Sequence, residues 1–399
     1  MQKTNRRTFL AGSAALVGSA ATSASLAYTR RSDSETDGYA LVARQDRQRI
    51  LRLASEAMDL QPATVTAFPS SRSPGGPHDF FSESDYFWPD PKNPAGPYRE
   101  RDGQTNPENF TGHRKAMLAL SMVVPQLTAA WLLTGKTAYA DHAIAHLRAW
   151  FVAPATRMTP NLEFGQGVRQ GVTGRSYGII DTLHLVEVAR AATLLQKKAL
   201  KAEDNAAIQS WFAAYLVWMK SSEKGMRERD AANNHSVAWS LQVAEFARLI
   251  GDENTRDELR VRYRTVLLQQ MAGDGSYPRE LARTKPYGYS IFNFDVMAGL
   301  CWSLGREAEE RWQTPDGRGM CRAAEFLYPF LKNKSAWKYA KDVQHFESWP
   351  VRSPGLLFCG LACGRPEYLN LWKSLDPDPQ DPEVIRNFPI RQPLLWMRT

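Results

Sequence analysis

A short polar stretch at the start of an apolar helix carries the residue types best suited to acid–base chemistry. Asn233, Asn234 and His235 come directly before the apolar run 237–250. The dipole at a helix N-terminus favours the neutral form of an imidazole, which can then accept a proton, and an adjacent amide can hold an anion. A capped helix start needs only one such side chain. We therefore interpret the polar residues 233–236 as a candidate catalytic site.

A second candidate cluster follows the helix pair that begins there, and it combines basic residues with tyrosines. Its members are Arg279, Arg283, Lys285, Tyr277, Tyr287 and Tyr289. A solvated run of charges is an equally good interpretation of this composition alone. However, a neighbouring guanidinium favours ionisation of a phenol, and an arginine can bind a carboxylate with two parallel hydrogen bonds. A tyrosine and an arginine in this cluster therefore form a candidate acid–base pair.

Polar and aromatic residues in the long connections are further candidates, because binding residues concentrate in loops. They are Trp88, Arg101 and Asn106 in the non-helical span 62–112, Gln166 and Arg175 in the span 161–175, and His345. A structural role is the favoured interpretation of His345. The spacing of Gly165 and Gly167 is a poor match to a nucleotide loop, and no strand pattern precedes it, so we exclude a nucleotide site.

The N-terminus has the pattern of an export signal. Residues 5–10 read Asn-Arg-Arg-Thr-Phe-Leu, a twin-arginine pattern, and a small-residue apolar segment ends in Ser-Leu-Ala at 25–27. The segment is too weakly apolar and short for a stable membrane anchor. We predict export by the twin-arginine route, so that the mature protein is periplasmic or secreted.

Charge and cysteine content exclude several classes of protein. Removing the three basic residues of the leader from a formal charge of +8 leaves a mildly basic chain without a Lys/Arg-rich tract, and we predict no nucleic-acid partner. The four cysteines, Cys301, Cys321, Cys359 and Cys363, match no zinc spacing. We predict buried free thiols, with one disulfide as the alternative, and no metal or cofactor.

Helical periodicity dominates the remaining chain and predicts an all-α fold. The predicted helices cover residues 39–60, 116–133, 137–151, 178–195, 204–220, 234–250, 252–271, 288–304 and 320–331, with shorter segments beyond. Gly135 and Gly251 each end one helix before its partner begins, which indicates helical hairpins. The span 62–112 is too rich in aromatic residues for disorder, so we predict an ordered arm over a cleft.

Two motifs together resemble the alginate lyase superfamily. They are Asn-Asn-His-Ser at the start of a helix (233–236) and Glu-Leu-Ala-Arg-Thr-Lys-Pro-Tyr-Gly-Tyr-Ser at 280–290. The chain is similar to polysaccharide lyase family five and, in the Gly-Tyr-Ser ending, to family thirty-eight, over residues 85–349. The resemblance implies an (α/α) toroid of six to seven helical hairpins in one domain. It divides the chain into the export signal 1–27, an N-terminal helix and linker 28–84, the catalytic domain 85–375 and a C-terminal tail 376–399.

The resemblance also implies β-elimination on a 4-linked uronic acid polymer, either alginate or a glucuronan-like polymer. In the pattern of the family, Asn234 neutralises the substrate carboxylate and His235 acts as the base or supports it. Arg283 matches the family's arginine. Tyr289 matches the catalytic tyrosine, with Tyr287 as the alternative. Gln166, Arg175, Arg101, Asn106 and Trp88 are then candidates for holding sugars.

Two other functions remain open from the sequence. A glycoside hydrolase on the same architecture would need a pair of carboxylic acids across the cleft. A non-catalytic protein that binds anionic polysaccharides would keep the aromatic and arginine residues but could lose Tyr289 or His235, and both are present. We therefore favour the lyase.

Overall fold

The computed structural model describes residues 20–197, 199–305 and 311–398. Helices make up 61% of the chain and strands 3%, which confirms the predicted all-α class. The twin-arginine pattern of residues 5–10 lies outside the described residues.

The described part of the chain contains fourteen α-helices and four short strands. The helices are α1 Ala20–Ala57, α2 Gly112–Thr134, α3 Thr137–Phe151, α4 Leu185–Gln196, α5 Ala202–Ser221, α6 Glu223–Arg229, α7 Asn234–Ile250, α8 Glu253–Thr265, α9 Pro278–Leu281, α10 Pro286–Leu304, α11 Met320–Lys332, α12 Pro354–Ala362, α13 Pro366–Ser374 and α14 Pro382–Arg386. The strands are β1 Phe81–Glu83, β2 Phe87–Trp88, β3 Arg99–Glu100 and β4 Phe164–Gly167. Two 3₁₀ helices, Ser176–His184 and Pro393–Met397, also matter for the site.

Most predicted helices are present, and the differences have local causes. Helices α3 and α7 have the predicted bounds, and α10 begins at Pro286, because proline is well suited to the first turn of a helix. The helix predicted over 178–195 is a 3₁₀ helix up to His184 and an α-helix only from Leu185. The short helices α6, α9 and α14 were not predicted, because four to seven residues carry too little periodicity.

Glycine ends the first helix of two hairpins, as predicted. Gly135 and Gly251 have φ angles of 70° and 76° in the left-handed region, where glycine lacks the steric penalty of a Cβ. The backbone N–H of Gly135 closes α2 on the carbonyl of Trp131. These turns bring α3 back along α2, and α8 back along α7.

Helix α7 lies at the centre of the core. It packs against α4, α5, α8 and α10, and within it only His235, Arg248 and Ile250 are not fully buried. Its first turn is therefore held rigidly by apolar contacts along the rest of the helix. Helix α2 is apolar and long enough to cross a membrane, but 61% of its apolar window is buried, as in the core helix of a soluble protein.

The predicted arm, residues 62–112, is ordered by pairing with other segments. Strand β1 pairs in parallel with β4, and β2 pairs antiparallel with β3. The side chain of His113 accepts a hydrogen bond from the backbone N–H of Phe81 at 2.9 Å. The arm is thus fixed both to the loop before α4 and to the start of α2.

The last residues of the chain are packed into the core. The buried carboxylate of Glu187 on α4 accepts hydrogen bonds from the backbone N–H groups of Arg391 and Gln392 and from the indole of Trp396. Trp396 is completely buried, and its carbonyl accepts from the indole of Trp302 at 2.7 Å. The segment predicted as a C-terminal tail therefore contributes to the core of the fold.

The cysteines divide into one pair and two free thiols. Cys321 on α11 and Cys363, which follows α12, form a disulfide, so the alternative of one disulfide is confirmed and the prediction of free thiols was wrong for these two residues. It is confirmed for Cys301 and Cys359, which are buried and unpaired. Sequence spacing could not select the pair, because α11 and α12 meet only through tertiary packing.

Candidate active site

The two predicted clusters meet in one polar cleft with a cavity of about 430 Å³. The start of α7 supplies Asn233, Asn234 and His235, and the segment from α9 to α10 supplies Arg283 and Tyr289. The arm closes another side with Tyr86, Phe87 and Asp102. Strand β4 adds Gln166, and the segment that follows it adds Arg175 and Tyr177. Helix α14 contributes Arg386.

Arg283 is held against Tyr289 by an acidic residue of the arm. The guanidinium of Arg283 donates two hydrogen bonds to Asp102, at 3.1 and 2.6 Å, and a third to the Tyr289 hydroxyl at 3.2 Å. Burial alone would lower the pKa of Arg283, but the hydrogen bond to Asp102 raises it above its usual value. Asp102 also accepts from the hydroxyl of Thr284 at 2.9 Å. A permanent positive charge is thus fixed beside the phenol.

Tyr289 is the first member of a chain of hydrogen bonds that ends at a carboxylate. Its hydroxyl donates to the Tyr86 hydroxyl at 3.1 Å, and Tyr86 donates to Glu383 at 3.3 Å. Burial raises the pKa of Tyr289 well above 10, although Arg283 and Lys285 favour the phenolate. Tyr289 therefore carries its proton at neutral pH and can act as an acid.

Asn234 is oriented by a buried glutamate. Its backbone N–H and its side-chain amide donate to the two carboxylate oxygens of Glu280, at 2.8 and 2.6 Å. Burial raises the pKa of Glu280, and the two hydrogen bonds from Asn234 oppose that shift. Because an amide nitrogen carries two hydrogens, the side chain of Asn234 retains one donor for a ligand.

His235 is oriented in a similar way by Glu228 at the end of α6. The Nδ1 atom of His235 lies 2.6 Å from a carboxylate oxygen of the buried Glu228, which fixes the proton of the neutral ring on Nδ1. The other nitrogen, Nε2, is then left as a proton acceptor. The ring centre lies 4.7 Å from that of Tyr177.

Two predicted sugar contacts also line this cavity. The side-chain amide of Gln166 lies 3.4 Å from Asp181, and its backbone has a positive φ of 49°. Arg175 lies between two aromatic rings, with its guanidinium carbon 4.7 Å from the ring centres of both Phe87 and Tyr177. Burial lowers the pKa of Arg175.

Five other predicted residues do not line the cavity. The guanidinium carbon of Arg101 lies 5.3 Å from the ring centre of Trp88, and neither residue lines the cavity. The amide of Asn106 bonds the backbone of Phe87 and Glu108, and so shapes the arm. Tyr287 is completely buried, and its hydroxyl donates to the carbonyl of Phe330. His345 bonds Asp381 at 2.8 Å, which agrees with the favoured structural role.

A buried row of charges with alternating sign forms the floor beneath the cavity. In order, it runs through Asp181, Arg114, Asp85, Arg386, Glu383 and Lys285. Burial opposes ionisation of Glu383, but Arg386 and Lys285 lower its pKa to about 2. Glu383 is therefore ionised and can accept the hydrogen bond from Tyr86.

Sequence reasoning did not identify several residues that orient the site. Glu280 stands inside the second motif and could have been found there, whereas Tyr86, Glu228, Glu383 and Arg386 carried no comparable signal. Glu383 lies 98 residues from Lys285 along the chain, so only the fold brings them together. Across residues 20–197, 199–305 and 311–398, no group of three or more His, Cys, Asp or Glu side chains is arranged to hold a metal ion.

Comparison with known proteins agrees with this architecture. A profile of the alginate lyase family matches residues 64–337. The crystal structure of an alginate lyase from Bacteroides ovatus superposes with a TM-score of 0.75 at 27% sequence identity, covering 93% of this chain and 97% of that chain. No curated protein sequence matches the chain.

Two more distant structures show a weaker likeness. Alginate lyase A1-III from Sphingomonas species A1 has 14% identity and a TM-score of 0.49, covering 79% of this chain and 86% of that chain. A variant of alginate lyase A1-III complexed with tetrasaccharide has 13% identity and the same TM-score, covering 75% and 78%. A similarity of this extent gives no information about the residues of the site.

The helical hairpins form an (α/α) toroid, as the resemblance implied, and the molecule is a polysaccharide lyase. Because the family profile spans most of the sequence, the chain belongs to the alginate lyase family.

The charged floor generates a prediction about acid stability. Glu383→Gln should lower the free energy of unfolding at pH 7 by about 3 kcal/mol, because it leaves Lys285 and Arg386 short of a buried partner. The folded-state pKa of Glu383, about 2, lies below its usual value of 4.5. Its stabilisation is therefore present above about pH 4.5 and is lost as the pH falls towards 2. Urea unfolding at several pH values measures the difference between variant and wild type.

The exposed pair of Glu367 and Arg365 provides the control. Because solvent screens this pair, Glu367→Gln should leave the free energy of unfolding close to that of wild type at each of these pH values. A difference between Glu383→Gln and wild type that stays constant from pH 7 to pH 3 would contradict the role of the charged floor.

Proposed function

We propose that this protein cleaves 4-linked uronic acid polymers by metal-independent β-elimination, with alginate, especially polymannuronate, as the first candidate substrate and glucuronan-like polymers as the second. The observation that supports this most strongly is the meeting of Tyr289, Arg283, Asn234 and His235 around one cavity. These residues supply a proton donor, a cation, an amide donor and a proton acceptor, which are the groups that the elimination requires.

The reaction begins with a weakly acidic proton. The C5 proton of a uronate is hard to remove because the adjacent carboxylate must take up further negative charge. The amide of Asn234 and the guanidinium of Arg283 can donate to that carboxylate and stabilise the enolate-like state. Since Glu280 and Asp102 hold these donors in place, little reorganisation is needed when the charge develops.

His235 and Tyr289 then carry out the two proton transfers. His235 accepts the C5 proton at Nε2, the C4–O4 bond breaks, and a double bond forms between C4 and C5. Tyr289 donates its proton to the departing O4, and its phenolate is stabilised by Arg283. In a syn elimination Tyr289 would perform both transfers. The high pKa of Tyr289 favours its role as the acid.

Glycoside hydrolysis is the second candidate function, and the acids of the cleft argue against it. A hydrolase needs one carboxylic acid that stays protonated and a second carboxylate opposite it. Four acids line the cavity, and three of them, Asp85, Asp102 and Asp181, are ion-paired with an arginine, which leaves Glu100 without an acidic partner that is free of such a pair. Burial would raise the pKa of Asp102, but the hydrogen bonds from Arg283 lower it below its usual value, which makes this carboxyl group a poor general acid.

The appearance of the 4,5-unsaturated uronate is the direct test of this proposal. Purified protein should raise the ultraviolet absorbance of at least one polymer in a panel of polymannuronate, polyguluronate, glucuronan and hyaluronan, and a chelator should leave the rate unchanged. New reducing ends without the chromophore would indicate hydrolysis. Binding without cleavage would indicate a polysaccharide-binding protein, and a loss of rate that metal restores would contradict the metal-free mechanism.

Tyr289 and Tyr287 provide a matched pair of variants. Tyr289→Phe removes the proton donor and should lower kcat by roughly 10²–10⁴-fold, while binding of the polymer is retained. Tyr287→Phe removes only a hydrogen bond to a core carbonyl, so it should cost about 1 kcal/mol of stability and keep the turnover. Initial rates by absorbance and urea unfolding distinguish the two. Wild-type turnover in Tyr289→Phe would remove this residue from the mechanism.

We also propose that the protein is exported by the twin-arginine route to the periplasm or beyond, on the basis of residues 5–10. Changing both Arg6 and Arg7 to Lys should leave the precursor in the cytoplasm, as measured by cell fractionation. Lys3→Arg is the control and should not change export. Unchanged export of the double variant would exclude this route.

A further inference from the structure

Arg175 is held in the wall of the cleft by two aromatic rings and a hydroxyl group. Its guanidinium lies between the rings of Phe87 and Tyr177, at 4.7 Å from each centre, and donates to the Ser84 hydroxyl at 3.2 Å. Ser84 in turn donates to the backbone carbonyl of Gln166 at 2.6 Å. Two stacked rings and one hydroxyl fix the orientation of Arg175 without neutralising its charge.

The arginine residues around Arg175 each form a direct ion pair. Arg283 is paired with Asp102, Arg114 with Asp85 and Asp181, and Arg386 with Asp85 and Glu383. Within residues 20–197, 199–305 and 311–398, no carboxylate forms an ion pair with Arg175. Burial lowers the pKa of Arg175, and the carboxylates of Glu100 and Glu228 oppose that shift through space, without a direct ion pair. A half-buried cation with free donors at the edge of a cavity is suited to an anionic group of the ligand.

The position of Arg175 indicates which anionic group it binds. The ring centre of Tyr177 lies 4.7 Å from the guanidinium carbon of Arg175 and 4.7 Å from the ring centre of His235. Arg175 and the proposed base therefore share this aromatic neighbour. In the proposed mechanism, Asn234 and Arg283 already bind the carboxylate of the reacting sugar. The anionic group that Arg175 binds therefore belongs to a different sugar.

We propose that Arg175 binds the carboxylate of the sugar next to the one that loses its C5 proton. The inference rests on the proposed elimination and makes it more specific, because the enzyme then recognises two consecutive uronates. Polymers in which every sugar is a uronate provide a carboxylate for Arg175. Polymers in which uronates alternate with neutral or acetylated sugars leave its charge without a partner, which costs binding free energy.

A polymer with a tunable carboxylate content tests this directly. Polyuronate samples in which increasing fractions of the carboxyl groups are reduced to alcohols retain cleavable uronates but progressively lose uronate neighbours. The wild-type rate should fall more steeply than the remaining carboxylate fraction, because both sugars of a cleavable pair must be charged. The rate of Arg175→Gln should fall only in proportion to that fraction.

The kinetics of the variants on the intact polymer provide a second test. On this polymer, Arg175→Gln should lose roughly 10- to 100-fold in kcat/KM, mainly through KM, since a charge-assisted hydrogen bond is removed from binding. Arg175→Lys keeps the charge but loses the paired N–H donors of the guanidinium, so its kcat/KM should lie between those of wild type and Arg175→Gln. Arg227→Gln removes one exposed positive charge outside the cleft and should match wild type. Thermal unfolding of each variant reports whether it is folded.

The outcomes separate this inference from the proposed function. No chromophore from the intact polymer with wild type would overturn both. Cleavage by wild type with the same dependence on carboxylate content in wild type, Arg175→Lys and Arg175→Gln would overturn only the role of Arg175. A fall in kcat alone for Arg175→Gln would also contradict it, and would place this arginine at the reacting sugar.

Discussion

Six buried charges of alternating sign lie beneath the cleft, and the geometry of the site depends on their pairing. Asp85 comes from the arm, Asp181 from the 3₁₀ helix before α4, Arg114 from α2, Lys285 from the start of α10, and Glu383 and Arg386 from α14. Each charge loses its hydration on folding, and only correct placement of its neighbours offsets that cost. The charges therefore force segments that are distant in the sequence into one arrangement.

This arrangement fixes the proton donor of the site. The carboxylate of Glu383 stays ionised because Arg386 and Lys285 flank it, and it accepts from Tyr86, which accepts from Tyr289. From the other side, Asp102 of the arm holds Arg283 against the same phenol. Tyr289 with Arg283, the arm residues Tyr86 and Asp102, and Glu383 of α14 thus come from three parts of the chain. The C-terminal segment contributes to the geometry of the site, although none of its residues stood out in the sequence.

Each of the other two polar groups is held by a buried glutamate. Glu280 accepts hydrogen bonds from the backbone N–H and the side-chain amide of Asn234, and Glu228 fixes the proton of His235 on Nδ1. One side-chain amide hydrogen of Asn234 and the Nε2 atom of His235 remain available. A ligand therefore contacts groups that are already oriented. The membership of the chain in the alginate lyase family is consistent with such a site, since it carries both family motifs around one cleft.

Local sequence patterns were sufficient to predict most of the helices, the two glycine-terminated turns, and the polar residues at the start of α7. These features depend on residues within four positions of one another, so local periodicity and capping reveal them. Which of Tyr287 and Tyr289 lines the cavity depends on the tertiary structure. Two positions along a helix turn a side chain through about 200°, so the two residues face opposite ways and only one can reach the cavity. Packing against Trp337 and Phe346 places Tyr287 in the core. The partners Glu228 and Glu383, and the pairing of Cys321 with Cys363, were likewise set by contacts between helices, which no local pattern encodes.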